Sequence, residues 1–562
     1  MERCGGGLGF DWRQARLGAT IAMAILCAAP LAHAATVACE AMAGRGGPAS
    51  SIALPTKGYR ITAARSVAAV TELPAIGQPG SQGLTHPAYC RLEGSIPPVD
   101  PKAPPINFAI AIPQTWNGQM WQVGGGGMNG SIPDLTTSGG ASPAPAGAPS
   151  LLTLGFAVYG SDSGHQGQAP EWARNEEAWL NLAYNQLKKT HDAATAVIET
   201  MQGRKPQRSY FSGSSQGGRE ALQVVARYGD DYDGVISTVP LAYMQGLYIH
   251  PIIRAINQAK PGAWIPPSKR PLLNAAVKKT CDGLDGLEDG VIGDYIGCAN
   301  RLDTSVTPDA LSFLRCPSGA DEGDSCLSPA QLAMFNALHR PTKYPYALPS
   351  GFSDWPGWGG GAETALLLPA KPDPDDANAG DAMRAATQRS VLGLPETFNL
   401  YKLDLSADRA AIEKLSRDVD VPADFSTFIR NGGKLIIVSG ASDTVSNPRA
   451  QMRLYDEVVK RNGKAMIDRA VRYYVIPSGD HGRNSRSLDG QPMPSAWNLA
   501  GALRDWVEQG VMPPDAPVLA TYSGDTITAT RLMCRYPAYP HYVAGSPNWA
   551  TAYSCRQPTQ KN

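Results

Sequence analysis

The chain alternates short apolar runs with amphipathic stretches, abandons that pattern once, and then takes it up again. Asn107-Phe-Ala-Ile-Ala-Ile-Pro, Met120-Trp-Gln-Val and Gly155-Phe-Ala-Val-Tyr-Gly are brief hydrophobic runs set among glycine turns, and they read as strands. From about Glu171 to Met201, Leu180, Leu182, Ala183, Leu187, Ala193, Ala194, Val197 and Ile198 form one broad apolar face, as in a helix. Strand and helix recur at Ser209-Tyr-Phe-Ser, at Arg219 to Tyr228 and at Asp233-Gly-Val-Ile-Ser. Such alternation specifies an α/β fold in which parallel strands are joined by crossover helices.

Between roughly Pro240 and Asp424 the strand signal fades, proline and glycine become dense, and prolines cluster from Pro341 to Pro374. Strands resume at Gly433-Lys-Leu-Ile-Ile-Val-Ser-Gly and Val471-Arg-Tyr-Tyr-Val-Ile-Pro, with a helix between them at about Asn447 to Asn462. A chain of 562 residues exceeds one ordinary core. The expected division is a leader at 1–34, a core at 35–240 and 426–562, and an inserted lid domain at 241–425.

The leader reading rests on Arg13 and Arg16 before an apolar run from Leu17 to Leu31, closed by Ala32-His33-Ala34, a small-x-small signal-peptidase site. Cys27 follows Leu26, not a small residue, which argues against a lipid anchor. The run is short for a membrane span, so a secreted or periplasmic protein is expected. Lys+Arg and Asp+Glu both total 50, and no local basic run offers a face for nucleic acid. Of ten cysteines, Cys4 and Cys27 leave with the leader; the remaining eight form no CxxC metal pair. In sequence order they neighbour as Cys39 with Cys90, Cys281 with Cys298, Cys316 with Cys326 and Cys534 with Cys555. Local disulfides in an oxidising compartment are expected, although other connectivities or free thiols satisfy the same count.

Gly213-Ser-Ser-Gln-Gly217 matches G-x-S-x-G, the sharp strand-to-helix turn that exposes a nucleophilic serine, here Ser215. Alone the pentapeptide is weak, because a Gly/Ser turn before a helix looks the same. Two later strand ends strengthen it: Ser442-Asp443 and Asp480-His481 follow strands, in the order Ser, Asp, His of α/β-hydrolases. A serine hydroxyl needs a base to remove its proton, so His481 is assigned that role and Asp443 the orientation of the imidazole. Asp480, the rival acid, adjoins His481 in sequence, where its side chain would tend to point away. Gly124-Gly-Gly-Gly127 after a strand offers unobstructed backbone N–H groups, and Gly127 with Gln216 is the expected oxyanion-binding pair; a flexible turn is the bland alternative.

Cys39-Glu-Ala, Trp121-Gln-Val-Gly-Gly-Gly-Gly-Met-Asn-Gly130, Tyr210-Phe-Ser-Gly-Ser-Ser-Gln-Gly-Gly-Arg-Glu220, Thr280-Cys-Asp-Gly-Leu-Asp-Gly-Leu-Glu-Asp-Gly290, Gly440-Ala-Ser-Asp443 and the Cys534-Arg-Tyr-Pro ending together resemble the tannase and feruloyl esterase family. That family includes hydrolases of mono(2-hydroxyethyl) terephthalate. The resemblance implies an α/β-hydrolase core with a large inserted lid domain that supplies most substrate contacts, and activity on small esters of aromatic acids. One departure stands out. Family members place a Cys directly before the nucleophile and another directly after the His, joined as a disulfide; here those places hold Ser214 and Gly482. Losing both together fits the even count of the rest. An inactive binding protein on the same scaffold is the alternative that this loss motivates.

Cys281-Asp-Gly-Leu-Asp-Gly-Leu-Glu-Asp-Gly290 concentrates carboxylates between glycines, as hard-cation loops do, yet EF-hand spacing fails because Gly293 occupies the place of the bidentate Glu. The resemblance implies structural Ca²⁺ held by Asp282, Asp285 and Asp289 with the carbonyls of Leu287 and Val291; a solvated acidic turn is the alternative. Arg389-Ser-Val-Leu392 resembles the segment that carries a substrate-binding arginine in terephthalate-monoester hydrolases, against the plainer reading of a surface arginine. Trp355 and Trp358 suit either stacking on an aromatic acyl group or packing of lid on core.

Overall fold

In the computed structural model the described residues are 37–71, 85–139, 143–379, 381–558. The leader at 1–34 lies outside them. Ten strands form one sheet: β1 Gly46–Gly47, β2 Tyr59–Val67, β3 Tyr89–Ile96, β4 Ile106–Pro113, β5 Gln119–Val123, β6 Ala157–Ser161, β7 Arg208–Ser214, β8 Gly234–Thr238, β9 Lys434–Gly440 and β10 Val471–Ile476. Their order is β1-β2-β3-β4-β6-β5-β7-β8-β9-β10. Pairing is antiparallel from β1 through β4 to β6 and parallel from β6 through β5, β7, β8 and β9 to β10.

The parallel strands read as unbroken apolar runs because both faces are covered. Every residue of β6, β8 and β10 is buried. Consecutive side chains enter opposite cores: Phe211, Val235, Leu435, Ile437 and Tyr473 on one face, Tyr210, Ile236, Ile436, Val438 and Tyr474 on the other. On the second face Trp121 stacks on Tyr210 with centroids 4.9 Å apart, and its indole N–H donates to Ser212 Oγ at 2.8 Å.

The antiparallel edge was not anticipated. β2 carries Arg60 and Arg65 and is mostly exposed, so it lacks the apolar run that marks the central strands. The single helix expected over Glu171 to Met201 is broken into a 3₁₀ turn Pro170–Arg174, a short helix Glu176–Leu180, a π-helical turn Asn181–Asn185 and the helix Gln186–Gln202. The buried Arg219 explains the widened turn, since its guanidinium takes the carbonyls of Leu182 and Ala183 at 2.9 and 2.8 Å.

The chain leaves the sheet at Thr238 and returns at Lys434. The intervening segment is mainly helical, and part of it builds a core of its own from Leu273, Val277, Leu302, Leu327, Phe335 and Trp358. Trp355 and Trp358 are buried, the first stacked on His250 at 4.6 Å, so packing accounts for both. All four disulfides join the neighbours expected from sequence order: Cys39–Cys90, Cys281–Cys298, Cys316–Cys326 and Cys534–Cys555. They fit an oxidising compartment. Among the described residues no helix is long and apolar enough to cross a membrane.

Candidate active site

Strand β7 ends at Ser214 and the helix Gln216–Arg227 begins two residues later, leaving Ser215 alone at the corner. Its backbone lies at φ 61°, ψ −117°, a strained conformation for a residue with a Cβ, costing about 1–3 kcal/mol. The surroundings enforce it. Ser215 N–H donates to Thr238 O at 3.0 Å, and Arg219 N–H returns to Ser215 O at 3.0 Å. Glycines are required on both flanks: a Cβ on Gly213 would lie 2.2 Å from Gly217 O, and one on Gly217 would lie 2.5 Å from Gly125 O.

His481 and Asp443 reach this corner from the loops after β10 and β9. His481 Nε2 is 2.8 Å from Ser215 Oγ. Its Nδ1 is 3.0 and 2.9 Å from the two oxygens of Asp443. Asp443 is fully buried and also accepts the N–H groups of Val445 at 2.8 Å and Ser446 at 2.9 Å, which fixes the carboxylate in one orientation. Asp480 turns away, accepting Asn484 N–H at 2.9 Å to close its own loop. The two loops are laced together by Ser442 N–H to Gly479 O at 2.9 Å and Ala441 N–H to Ile476 O at 3.0 Å. Gly440 permits this approach, since a Cβ there would lie 2.4 Å from Gly479 O. Ser214 precedes the nucleophile on its corner and Gly482 follows His481 on the loop that these bonds tie to the Asp443 loop.

The glycine run after β5 packs backbone to backbone on the first turn of the nucleophile helix: a Cβ on Gly124 would lie 2.9 Å from Gly217 Cα. Gly127, at φ 58°, faces open space. Gln216 opens the helix, so its N–H lies outside the intrahelical ladder. Sequence reasoning missed what braces this run. The buried Glu220 accepts Gly125 N–H at 2.9 Å and also the amides of Asn129 and Gln186. Burial pushes its carboxyl above the usual range, opposed chiefly by the Arg219 guanidinium. A carboxylate on the buried face of the nucleophile helix was the one available signal.

The surface reading is corrected for Arg389. It is neither a surface residue nor a free anion clamp: it is buried, and its guanidinium donates to Phe398 O at 2.8 Å, Asn378 Oδ1 at 3.0 Å and Ala377 O at 2.6 Å. It ties a loop of the insertion to the helix Ala382–Val391.

In the acidic loop, Asp282 accepts Gly290 N–H at 2.8 and 3.0 Å. Asp285 accepts Leu287 N–H at 3.1 Å and Gly293 N–H at 2.7 Å. Asp289 accepts Val291 N–H at 3.0 Å and pairs with Arg531 at 2.8 Å. Asp282 and Asp285 are buried, and burial pushes the Asp285 carboxyl up to about 7, a cost that a bound cation would remove. Hard oxygens in this number fit a calcium ion in donor chemistry. Their present partners are backbone N–H groups and Arg531. Among the described residues, the trio whose potential ligand atoms lie within 4.8 Å of one another is instead His191, Asp192 and Asp231, where Lys188 Nζ already bridges the two carboxylates at 2.8 and 2.9 Å. The acidic loop also abuts the loop of His481: Leu488 N–H donates to Gly290 O at 2.7 Å and Ile292 N–H to Ser478 Oγ at 3.1 Å.

An α/β-hydrolase sheet with a hydrogen-bonded Ser, His and Asp at its carboxyl edge defines a hydrolase by class. The chain belongs to the tannase and feruloyl esterase family, whose match spans residues 90–556, and it is a carboxylic ester hydrolase. It is 32% identical over 541 residues to an esterase of Agrobacterium fabrum, covering 92% of each chain. To the mono(2-hydroxyethyl) terephthalate hydrolase of Piscinibacter sakaiensis it is 26% identical, covering 84% of this chain and 85% of the other. The crystal structure of feruloyl esterase B from Aspergillus oryzae superposes with a TM-score of 0.71 at 21% identity, covering 90% of this chain and 98% of that one.

Proposed function

We propose that the chain is an exported serine esterase that cleaves esters of aromatic carboxylic acids through an acyl-enzyme on Ser215. The observation that carries this reading is the unbroken hydrogen-bonded path from Ser215 Oγ through His481 to Asp443, at 2.8 and 2.9 Å, ending on a strained serine. Ser215 Oγ attacks the ester carbonyl carbon while its proton passes to His481 Nε2. Asp443 keeps the other ring proton on Nδ1 and stabilises the imidazolium. The carbonyl oxygen, now an anion, is met by the backbone N–H groups of Gln216 and Gly127. Collapse breaks the bond to the alcohol, which leaves with the proton from His481. Water then gives a proton to His481, attacks the acyl carbon and releases the acid, restoring Ser215.

Aromatic acyl groups are inferred from the family and from relatives named for ferulate and terephthalate esters. The insertion, 241–425, is the proposed lid. Export is inferred from the four disulfides together with the leader pattern at 1–34. Calcium in the acidic loop would be structural, held by Asp282, Asp285 and Asp289 with the carbonyls of Leu287 and Val291, neutralising buried carboxylates beside the His481 loop. The test is turnover of methyl ferulate, methyl gallate, a chlorogenate and a terephthalate monoester against a simple acetate ester. Preference for the aromatic acids, abolished in Ser215→Ala, is expected. Equal rates on acetate would remove the substrate class, and activity surviving Ser215→Ala would remove the mechanism.

A further inference from the structure

A cavity that neither Ser215 nor His481 lines lies between the insertion and the core. It encloses about 240 Å³ and opens to solvent. One wall is a single face of the helix Pro448–Asn462, where Arg449, Met452, Arg453 and Asp456 recur at the spacing that stacks side chains along a helix. Facing it are Tyr295 from the insertion and Tyr536 from the C-terminal segment.

The charges on this wall are unequally satisfied. Arg453 is paired with Asp354 at 2.5 Å, and Asp456 accepts the hydroxyl of Tyr536 at 3.1 Å. Arg449 has only a marginal contact, from Nη1 to His339 O at 3.5 Å. Among the described residues no carboxylate comes within ion-pairing distance of it; Asp303 and Asp354 act on it only from further off. The Arg449 guanidinium is partly exposed and has no carboxylate partner, and a ligand carboxylate would meet it through two parallel N–H···O bonds.

We propose that this cavity binds one single-ring aromatic carboxylate, with the acid group on Arg449 and the ring among Tyr295, Met452 and Tyr536. Tyr295, Met452 and Tyr536 supply aromatic and apolar surface, and of the two arginines on the walls Arg449 is the one that lacks a charged partner and orients the ligand. The volume suits one ring and its carboxylate. The site also touches the catalytic frame, because Ala441 lines it and lies two residues before Asp443. The proposal concerns binding alone and stands whether or not Ser215 is the nucleophile.

The probe is 4-fluorobenzoate, followed by fluorine NMR on the full chain as wild type, Arg449→Gln, Arg449→Lys and Ala299→Phe, the last filling the cavity from the insertion side. Thermal melting and ester turnover report on folding. A saturable component is expected in the wild type. It should weaken at least tenfold in Arg449→Gln and Ala299→Phe and less in Arg449→Lys, and crystals soaked with the probe should hold the ring in the cavity. Titrations identical in wild type, Arg449→Gln and Ala299→Phe would overturn the proposal, as would a soak that leaves the cavity without the ring. Sulfate binding at Arg449 with no uptake of the aromatic acid would overturn the ligand class.

Discussion

The carboxyl edge of the parallel sheet and the insertion that packs on it are held together by different means. At the edge, backbone meets backbone: Gly213 against Gly217, Gly217 against Gly125 and Gly440 against Gly479 leave no room for a Cβ. The insertion adds side chains and covalent links to such contacts, through the Cys281–Cys298 and Cys316–Cys326 bridges and the guanidinium of Arg389 on three acceptors. Where the chemistry sits, position is set by the peptide chain itself; in the insertion, exchangeable parts share that work. Changes at the edge should therefore strike turnover, and changes in the insertion should strike stability or affinity first.

The largest effect is expected from Asp443→Asn, which keeps the shape but reverses the hydrogen-bonding sense at His481 Nδ1. Ester turnover should fall about ten-thousand-fold with an unchanged melting temperature. A drop below tenfold would move the orienting role elsewhere. Gly217→Ala comes next, since its Cβ must push the glycine run away from the serine. A loss of about a hundred-fold in kcat is expected, because displacements near 1 Å cost that much. Full activity would break the claim that backbone contact sets the site. In the insertion, Arg389→Ala removes the three hydrogen bonds to Phe398 O, Asn378 Oδ1 and Ala377 O and should cost about 1–3 kcal/mol in chemical denaturation. KM should move more than kcat; an unmoved denaturation midpoint would contradict the assignment. The smallest change in rate is expected for Ser214→Cys with Gly482→Cys. A bridge should form if the spacing permits, with turnover unchanged because Ser215 Oγ and His481 Nε2 already stand 2.8 Å apart; two free thiols in the double variant would refute the bridge.

The same contrast explains what the sequence made legible. The central strands, the Ser, Asp, His order and the disulfide pairs were all readable, because buried parallel strands are continuous apolar runs and glycine is demanded where loops cross. β2 escaped notice because a mostly exposed strand carries arginines, not an apolar run. The break at Asn181–Asn185 escaped because its cause, Arg219, comes from another helix. The burial of Arg389 was not legible because its acceptors are largely backbone carbonyls, Ala377 and Phe398, which leave no trace in residue identity. Nothing in the geometry or the family membership favours the binding-only alternative, since Ser215, His481 and Asp443 stand within hydrogen-bonding distance.

The most direct test is to treat the folded protein with a fluorophosphonate and locate the adduct by peptide mass spectrometry. The account predicts one adduct per chain, on Ser215, formed with loss of ester turnover in step and strongly slowed in His481→Ala. An adduct on another residue, or full turnover with Ser215 completely modified, would contradict it.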